Sequence, residues 1–481
     1  MSLPNAYRVH WGRRLVHKVT CPNCWHSLYP EEALYIARHP DLLGDPVLGP
    51  NEYRRFDPGR FDLSGAALDD RGFATTDLAC PRCRLPIAEA LLEIPHLLVS
   101  MIGAPASGKS YFLAAMTWQL RATLPRMMLS FSDADPSANL PIHQYEQTLF
   151  LNADADQPTQ IRKTQSDDPR LYRTTVVADA SLRYPVPLQF VIWPTRDHPA
   201  GSHAAQAGRV VILYDNAGED FLPGNEERMA TSVEHLVRSQ AIFAFLDPTQ
   251  DVRFRALCRL DDPQIALGLR PSSQPRAAMI LQESLLKQAT VRIRRSLGLG
   301  DEQAVSRPLI VIVSKADVWS RQVGVDLDHE AIVDNGQGAT FNPAAVDAVS
   351  AQVRRVLAGV CPEFVATAEN FSTTVRYIPV SSLGRSPEHI TRDKEAFYGI
   401  RPRDIHPRGV TIPLLYCLHH LDSDLLPAQT ADRRAADRKA EGREDGTGAG
   451  KGTGSLSTSA MRKVVVPVFA PEPVSCAETD P

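Results

Sequence analysis

The segment Gly103-Ala104-Pro105-Ala106-Ser107-Gly108-Lys109-Ser110 narrows the fold of this chain more than any other. It fits G-x-x-x-x-G-K-[ST], a loop that cradles phosphate groups when a strand precedes it and a helix follows. Both conditions are met. His96 to Ile102 is a short apolar run that reads as a buried parallel strand. Beyond the loop, Phe112, Leu113, Met116 and Leu120 recur at helical spacing. Gly103 and Gly108 permit turns closed to larger residues. Backbone N–H groups, those of Ala106, Ser107 and Tyr111 among them, then face an anion beside a helix N-terminus. In this pattern Lys109 reaches the β- and γ-phosphates and the Ser110 hydroxyl ligates Mg²⁺. A second glycine-lysine cluster, Gly446 to Gly454, follows no strand and has polar neighbours, so it is not such a loop.

Three further segments follow in order, each at the end of an apolar run. Arg209 to Tyr214 reads as a strand that ends at Asp215 in Asp215-Asn216-Ala217-Gly218. A carboxylate there can hold Mg²⁺ beside Ser110, and the Gly218 N–H is placed to meet a γ-phosphate. Pro308 to Val313 leads into Ser314-Lys315-Ala316-Asp317. An Asp at a strand's C-terminal end can accept bonds from guanine N1–H and N2–H₂, a donor pair that adenine lacks. The aliphatic stem of Lys315 can cover the base face. Val375 to Val380 leads into Ser381-Ser382-Leu383-Gly384, where a small residue lets a backbone N–H approach guanine O6. The expected ligands are therefore GTP or GDP with Mg²⁺.

On these four segments the chain resembles the translation-factor-related (Ras-like) branch of P-loop GTPases. The resemblance implies an α/β fold: a mostly parallel sheet with helices on both faces and the nucleotide at the strands' C-terminal ends. It also implies GTP hydrolysis, with Lys109 and Asp215 in catalytic roles, and the Glu219 carboxylate beside the γ-phosphate makes slow turnover the expectation. Three positions depart from the family pattern. Ser314 stands where Asn or Thr is usual, and Ser382 where Ala is usual. Glu219 stands where many relatives place a water-orienting Gln, which makes it the candidate for positioning water. A first-switch threonine is implied in the polar stretch before Leu188 to Trp193. Thr164 is the candidate for this Mg²⁺ contact, with Thr159 behind it. More narrowly, residues 15–425 resemble the bacterial double-GTPase type-two family, which sets a cysteine-pair module before such a domain and is associated with multi-gene conflict systems. One set of nucleotide motifs is present.

The cysteine pairs are Cys21-Pro22-Asn23-Cys24 and Cys80-Pro81-Arg82-Cys83. Two-residue spacing aims both thiolates of a turn at one metal, and two turns close a Cys₄ site for structural Zn²⁺. The long insert between the pairs, Glu31 to Thr76, carries helical and turn signals, and loop closure costs little more for a long loop than for a short one. Cys258, Cys361, Cys417 and Cys476 read as ordinary core or surface residues.

Residues 1–92 are thus expected to form the zinc module and 93–425 the nucleotide domain. Asn225 to Ser239 reads as a second-switch helix and Asp247 to Gln274 as an insertion. A long amphipathic helix near Arg276–Leu297 follows, with Arg292, Arg294 and Arg295 on a solvated face. Pro343 to Val360 and Val410 to Leu421 read as further helices. Residues 426–481 read as a disordered tail by composition, with one apolar island, Val464 to Phe469, of the kind that adds a strand to a partner. At 481 residues, 43% of them hydrophobic, the chain can bury a large core. A net charge of −4 gives no electrostatic case for nucleic acid. No apolar stretch reaches the ~18 residues that span a bilayer. No secretory segment begins the chain, so a reducing cytoplasm is the expected compartment. The expected partner beyond the nucleotide is a protein effector or activator. Two alternatives remain open: a nucleotide-dependent adaptor with negligible hydrolysis, and an NTPase whose zinc module contacts nucleic acid.

Overall fold

The computed structural model describes residues 15–161, 172–177, 180–215, 234–268, 282–327, 330–421 and 424–426, apart from 335, 337, 393 and 394. The described residues belong to one compact unit, Met1–Gln429; a second unit, Thr430–Pro481, lies outside them and with it the apolar island.

Seven strands form the central sheet: β1 (His96–Gly103), β2 (Leu129–Asp133), β3 (Pro187–Pro194), β4 (Arg209–Tyr214), β5 (Ala241–Leu246), β6 (Leu309–Val313) and β7 (Val375–Pro379). Their spatial order is 2-3-4-1-5-6-7. Strands β4, β1, β5, β6 and β7 pair in parallel, while β2 and β3 join in antiparallel fashion at one edge. Parallel strands are covered on both faces, which is why they read as unbroken apolar runs.

Side chains alternate between two faces, and each face has its own cover. Leu97, Val99 and Met101 of β1, with Phe243 and Phe245 of β5, point to a core that includes Phe112, Leu113, Met116, Leu120 and Leu124 of helix α1 (Lys109–Arg126). Ile242, Ala244 and Leu246 of β5 and Val311 and Val313 of β6 point the other way. There they meet Leu285, Leu286 and Ile293 of α2 (Gln282–Leu297) and Phe364, Val365 and Phe371 of α3 (Pro362–Phe371). Fully burying each such side chain contributes about 1.5–3 kcal/mol.

On this second face, beside α2, the cysteine module takes the place of a helix. Cys21, Cys24, Trp25, Cys80 and Cys83 share one core with Leu98 of β1, Val191 of β3, and Val210, Ile212 and Tyr214 of β4. The two knuckles are built alike. Trp25 and Arg84, each one residue past its second cysteine, sit in left-handed backbone at φ 56° and 59°. Their N–H groups return to the carbonyls of Cys21 and Cys80. The insert at 31–76 carries its helical signals as single 3-10 turns at Pro30–Glu32 and Pro40–Leu42 and its turn signals as short hairpins, among them Leu43–Asp45 with Gly49–Tyr53 and Ala67–Leu68 with Ala74–Thr75. Asp45 ties it down. Its carboxylate accepts from Arg84 and from the N–H groups of Val47, Leu48 and Arg55. Burial would raise this carboxyl, but those donors hold it well below the usual range.

Helices form where expected at Gln282–Leu297, Pro343–Val360 and Ile412–Leu421. Arg294 departs from the expected solvated face. It is buried, and its guanidinium donates to the carbonyls of Asp301, Gln303 and Asn370, tying α2 to the end of α3. Unpaired carbonyls at a turn and a helix end draw the cation inward.

A polar nucleus sits where module and sheet meet. Trp25 donates through Nε1 to the Tyr214 hydroxyl at 3.0 Å, and that hydroxyl donates to the Pro22 carbonyl at 2.7 Å. His235, in the turn of helix at 234–238, stacks on Tyr214, with Nδ1 2.6 Å from Ser100 Oγ. Burial pushes the His235 imidazole down to about 3, below its ordinary value near 6.5, so the folded protein holds it neutral. Stability from this residue is therefore fully present above pH 6.5. It is lost as pH falls towards 3, because the unfolded chain takes up a proton that the native state refuses. Thermal melts of the parent and His235→Gln should converge between pH 7.5 and 5.5, with the parent losing about 1.4 kcal/mol more per pH unit below 6.5. Parallel pH profiles would show that His235 is not held neutral.

Candidate functional site

Parallel pairing places the C-terminal ends of β4, β1, β5, β6 and β7 along one edge of the sheet. The phosphate-loop motif leaves β1, whose neighbours β4 and β5 both come later in the chain and lie on opposite sides. That reversal is where open α/β sheets form ligand crevices.

The loop has the backbone its glycines dictate. A Cβ on Gly103 would lie 2.7 Å from Phe245 Cβ and 3.0 Å from Ser107 Oγ, so a side chain there forces the loop off β5. Ala106 (φ 61°) and Gly108 (φ 94°) are both left-handed. Helix α1 starts at Lys109, whose side chain is buried and donates to the carbonyls of Gly103 and Ala104 at 2.9 and 3.0 Å. Ser110 Oγ donates to Asp215 Oδ2 at 3.0 Å. Burial pushes the Asp215 carboxyl up to about 6, against the pull of the Lys109 charge and the Ser110 hydroxyl. Asp215 Oδ1 and Ser107 Oγ are buried without a hydrogen-bond partner among the described residues. An ammonium, a hydroxyl and a carboxylate with a spare oxygen suit an oxyanion accompanied by a hard cation. The Tyr111 hydroxyl accepts from the Ile161 N–H, so this side chain holds the segment that enters 162–171.

The second half of the edge lies beyond β5 and β6. Lys315 is left-handed (φ 52°), and its ammonium lies 2.6 Å from Asp247 Oδ2. Asp247 follows β5 directly, is fully buried, and also accepts from Thr249 and Gln250. Gln250 in turn donates to the Pro105 carbonyl of the loop that follows β1. Asp317 is held on both oxygens: Ser381 Oγ donates to Oδ1 at 2.5 Å and Gln264 Nε2 to Oδ2 at 3.0 Å. Burial raises the Asp317 carboxyl, and the Ser381 hydroxyl opposes the rise. Ser381 is itself positioned by the Gly384 N–H. Gly384 is left-handed, and a Cβ there would lie 2.1 Å from the His406 carbonyl. Leu383 packs on the core under α1, and its carbonyl accepts from His406. Ser382 is partly buried beside it.

The structure thus brings Lys109, Ser110 and Asp215 together, and Lys315, Asp317 and Ser381 along the same edge. Gly218, Glu219 and Thr164 lie outside the described residues, as does most of the expected second-switch helix. Thr159 pairs with Ile400 through two backbone bonds. Sequence reasoning passed over Asp247 and Gln264. Asp247 carried the same signal as Asp215, an acid directly after an apolar run. Gln264 carried none, because its partner lies far along the chain.

The four cysteines converge. Their sulfurs all lie within 4.8 Å of one another and are buried, with Cys21–Cys83 and Cys24–Cys80 separations of 3.8 and 3.7 Å. Metal–sulfur bonds of about 2.3 Å in a tetrahedron put sulfurs about 3.8 Å apart. The cluster fits a cation such as Zn²⁺ and is far wider than an S–S bond of about 2.05 Å. Burial pushes the Cys21 thiol well up, so a bare thiolate is costly there without a cation.

No protein-family model matches this chain. A curated protein of Mycolicibacterium smegmatis (strain ATCC 700084 / mc(2)155), "Putative ESX-1 scaffolding and assembly protein SaeC", is 25% identical over 170 residues, which are 35% of this chain and 37% of that protein. The chain thus spans little more than a third of that relative. Among solved structures, a chain of the signal recognition particle receptor SRb-GTP/SRX complex from Chaetomium thermophilum aligns at 12% identity with a TM-score of 0.22, over 60% of this chain and 94% of that one. No described helix is long and apolar enough to cross a membrane.

Elemental analysis of the purified protein should find roughly one zinc per chain. Cys21→Ser should lose it and lower the melting midpoint on the order of 5 °C. Metal-free protein with unchanged stability would remove the metal role.

Proposed function

We propose that this chain is a guanine-nucleotide-binding regulatory protein that binds GTP and GDP with Mg²⁺, hydrolyses GTP slowly, and carries a structural Zn²⁺ on Cys21, Cys24, Cys80 and Cys83. The observation that carries the reading is the convergence of Lys109, Ser110 and Asp215 at the strand-order reversal, with Asp317 and Ser381 on the same edge. Residues 1–92 act as the zinc module, 93–425 as the nucleotide domain and 426–481 as a tail.

Phosphoryl transfer to water asks for positioning and charge stabilisation more than covalent chemistry. The Lys109 ammonium rests on two loop carbonyls and is the charge available to the β- and γ-phosphates. The amides of Gly103, Ala106, Ser107, Gly108 and Tyr111 line the loop around it. Ser110 and Asp215 would hold Mg²⁺, with Thr164 as a further ligand; the ion would neutralise charge on the phosphate oxygens. Gly218 would meet the γ-phosphate through its N–H. Glu219 would accept a bond from the attacking water but cannot donate one to the phosphate, which keeps turnover slow. Asp317 reads the base edge, Lys315 covers its face, and the Ser381–Leu383 backbone meets O6.

A second reading is a nucleotide-dependent scaffold with negligible hydrolysis. The scaffolding role named for the mycobacterial relative favours it, and single-turnover hydrolysis separates the two. A protein partner is expected under either reading.

Calorimetry with GTP, GDP, ATP and XTP, with and without Mg²⁺, tests the proposal. Lys109→Ala should weaken GDP binding about a hundredfold or more while the fold stays intact, as loss of a charged phosphate contact implies. Equal affinity in parent and variant would show that Lys109 is not at a phosphate. Asp317→Asn should exchange guanine for xanthine preference, because the amide donates where the carboxylate accepted. A parent that prefers ATP would end the guanine reading.

A further inference from the structure

The insertion after β5 folds back over the proposed base site, and one of its side chains bonds to the carboxylate that would read the base. Gln264 belongs to the short helix Pro263–Gly268 and is only 7% exposed. Its carboxamide nitrogen donates to Asp317 Oδ2 at 3.0 Å and to Ser386 Oγ at 3.1 Å. Its backbone N–H is fixed by Asp262 Oδ1 at 2.9 Å. Asp262 in turn pairs with Arg259 and accepts from Ser386. The same insertion grips the 314–319 segment elsewhere: the Arg259 N–H bonds to the Val318 carbonyl, and the Phe254 ring meets Trp319 edge-on at 5.5 Å.

A guanine edge presents a planar amine and a ring N–H to one carboxylate. The Gln264 carboxamide also presents a planar –NH₂, and it sits on one of the two oxygens that the base would use; the other is occupied by Ser381. We propose that Gln264 is an internal stand-in for the base amine. It satisfies Asp317 while no base is bound, and it must swing away before guanine can dock. The inference rests on the guanine reading of Asp317 given above. Chemically the exchange trades one neutral N–H donor on a carboxylate for another, so it costs affinity without abolishing it. Apparent affinity is the intrinsic affinity multiplied by the fraction of molecules in which the oxygen is free.

Removing the carboxamide has two linked effects. The nucleotide-free protein loses stability because a sheltered carboxylate oxygen loses its 3.0 Å donor and keeps only the long Ser386 contact at 3.5 Å. The nucleotide then restores that bond instead of exchanging it, so binding tightens. Ser386→Ala weakens the seat of Gln264, removes a longer Ser386 Oγ contact of 3.5 Å to the same Asp317 Oδ2, and leaves the Ser381 bond in place, so it acts in the same direction with smaller size.

The test uses the full chain with Mg²⁺. GDP affinity is measured by calorimetry for the parent, Gln264→Ala and Ser386→Ala, with melting of each nucleotide-free protein alongside. Hydrogen exchange of residues 259–268 is followed in the parent with and without GDP. The expected result is about tenfold tighter GDP binding in Gln264→Ala and a few-fold in Ser386→Ala. The melting midpoint of free Gln264→Ala should fall, and GDP should speed exchange at 259–268 in the parent. Binding by Gln264→Ala where the parent shows none also supports the gate. If Gln264→Ala does not melt cooperatively, Ser386→Ala and the exchange of the parent decide. Equal or weaker GDP binding in the variants, or GDP-induced protection of 259–268, overturns the gate. The base reading survives that result provided that Asp317→Asn still turns from GDP to xanthosine diphosphate. If neither parent nor variants bind any guanine nucleotide, both ideas fall.

Discussion

Parallel pairing of β1 with β4 on one side and β5 on the other is the constraint on which the rest of the structure depends. It aligns five C-terminal strand ends, so residues more than 200 positions apart meet on one edge. It also demands that both sheet faces be covered, because parallel strands here carry apolar side chains on each. α1 and the helix Ile412–Leu421 cover one face, and α2, α3, the helix Pro343–Val360 and the cysteine module share the other. The loop after β1 then has little freedom: Phe245 of β5 leaves room for only a hydrogen at Gly103.

Much of this was legible in the chain. β1, β4, β6 and β7 read as largely apolar runs whose following residues match motifs that require a strand end, while β5 reads as a strand with no motif behind it. The two C-P-x-C pairs named their own convergence, because metal geometry couples residues that chain distance separates. Three things were not legible. Asp45 reaches Arg84 across a fold of hairpins whose strands are too short for periodicity to register. Arg294 lies in a basic cluster that reads as solvated until the carbonyls of Asp301, Gln303 and Asn370 are placed around it. Gln264 matters only through a long-range partner. Local pattern reports an element's type, but not which distant group will meet a polar side chain.

Ionic groups along this edge are kept in pairs. Lys109 rests on two carbonyls and faces Asp215 through Ser110; Lys315 rests on Asp247; Asp317 is shared by Ser381 and Gln264. A buried charge without such company would cost several kcal/mol. A ligand arriving here therefore exchanges existing contacts for its own, and its affinity is a difference between two well-bonded states.

The Tyr214 hydroxyl closes the cysteine knuckle from below, and its ring is part of the sheet's own core. This makes the N-terminal region a wall of the sheet, although its motif reads as an appendage. A chain cut after residue 92 would strip the cover from Leu98, Val191, Val210 and Ile212 and leave the Tyr214 hydroxyl facing solvent. The remainder would present a bare apolar face of the kind that draws molecules into association. The boundary visible in the sequence is thus a boundary of motifs, and one hydrophobic core runs across it.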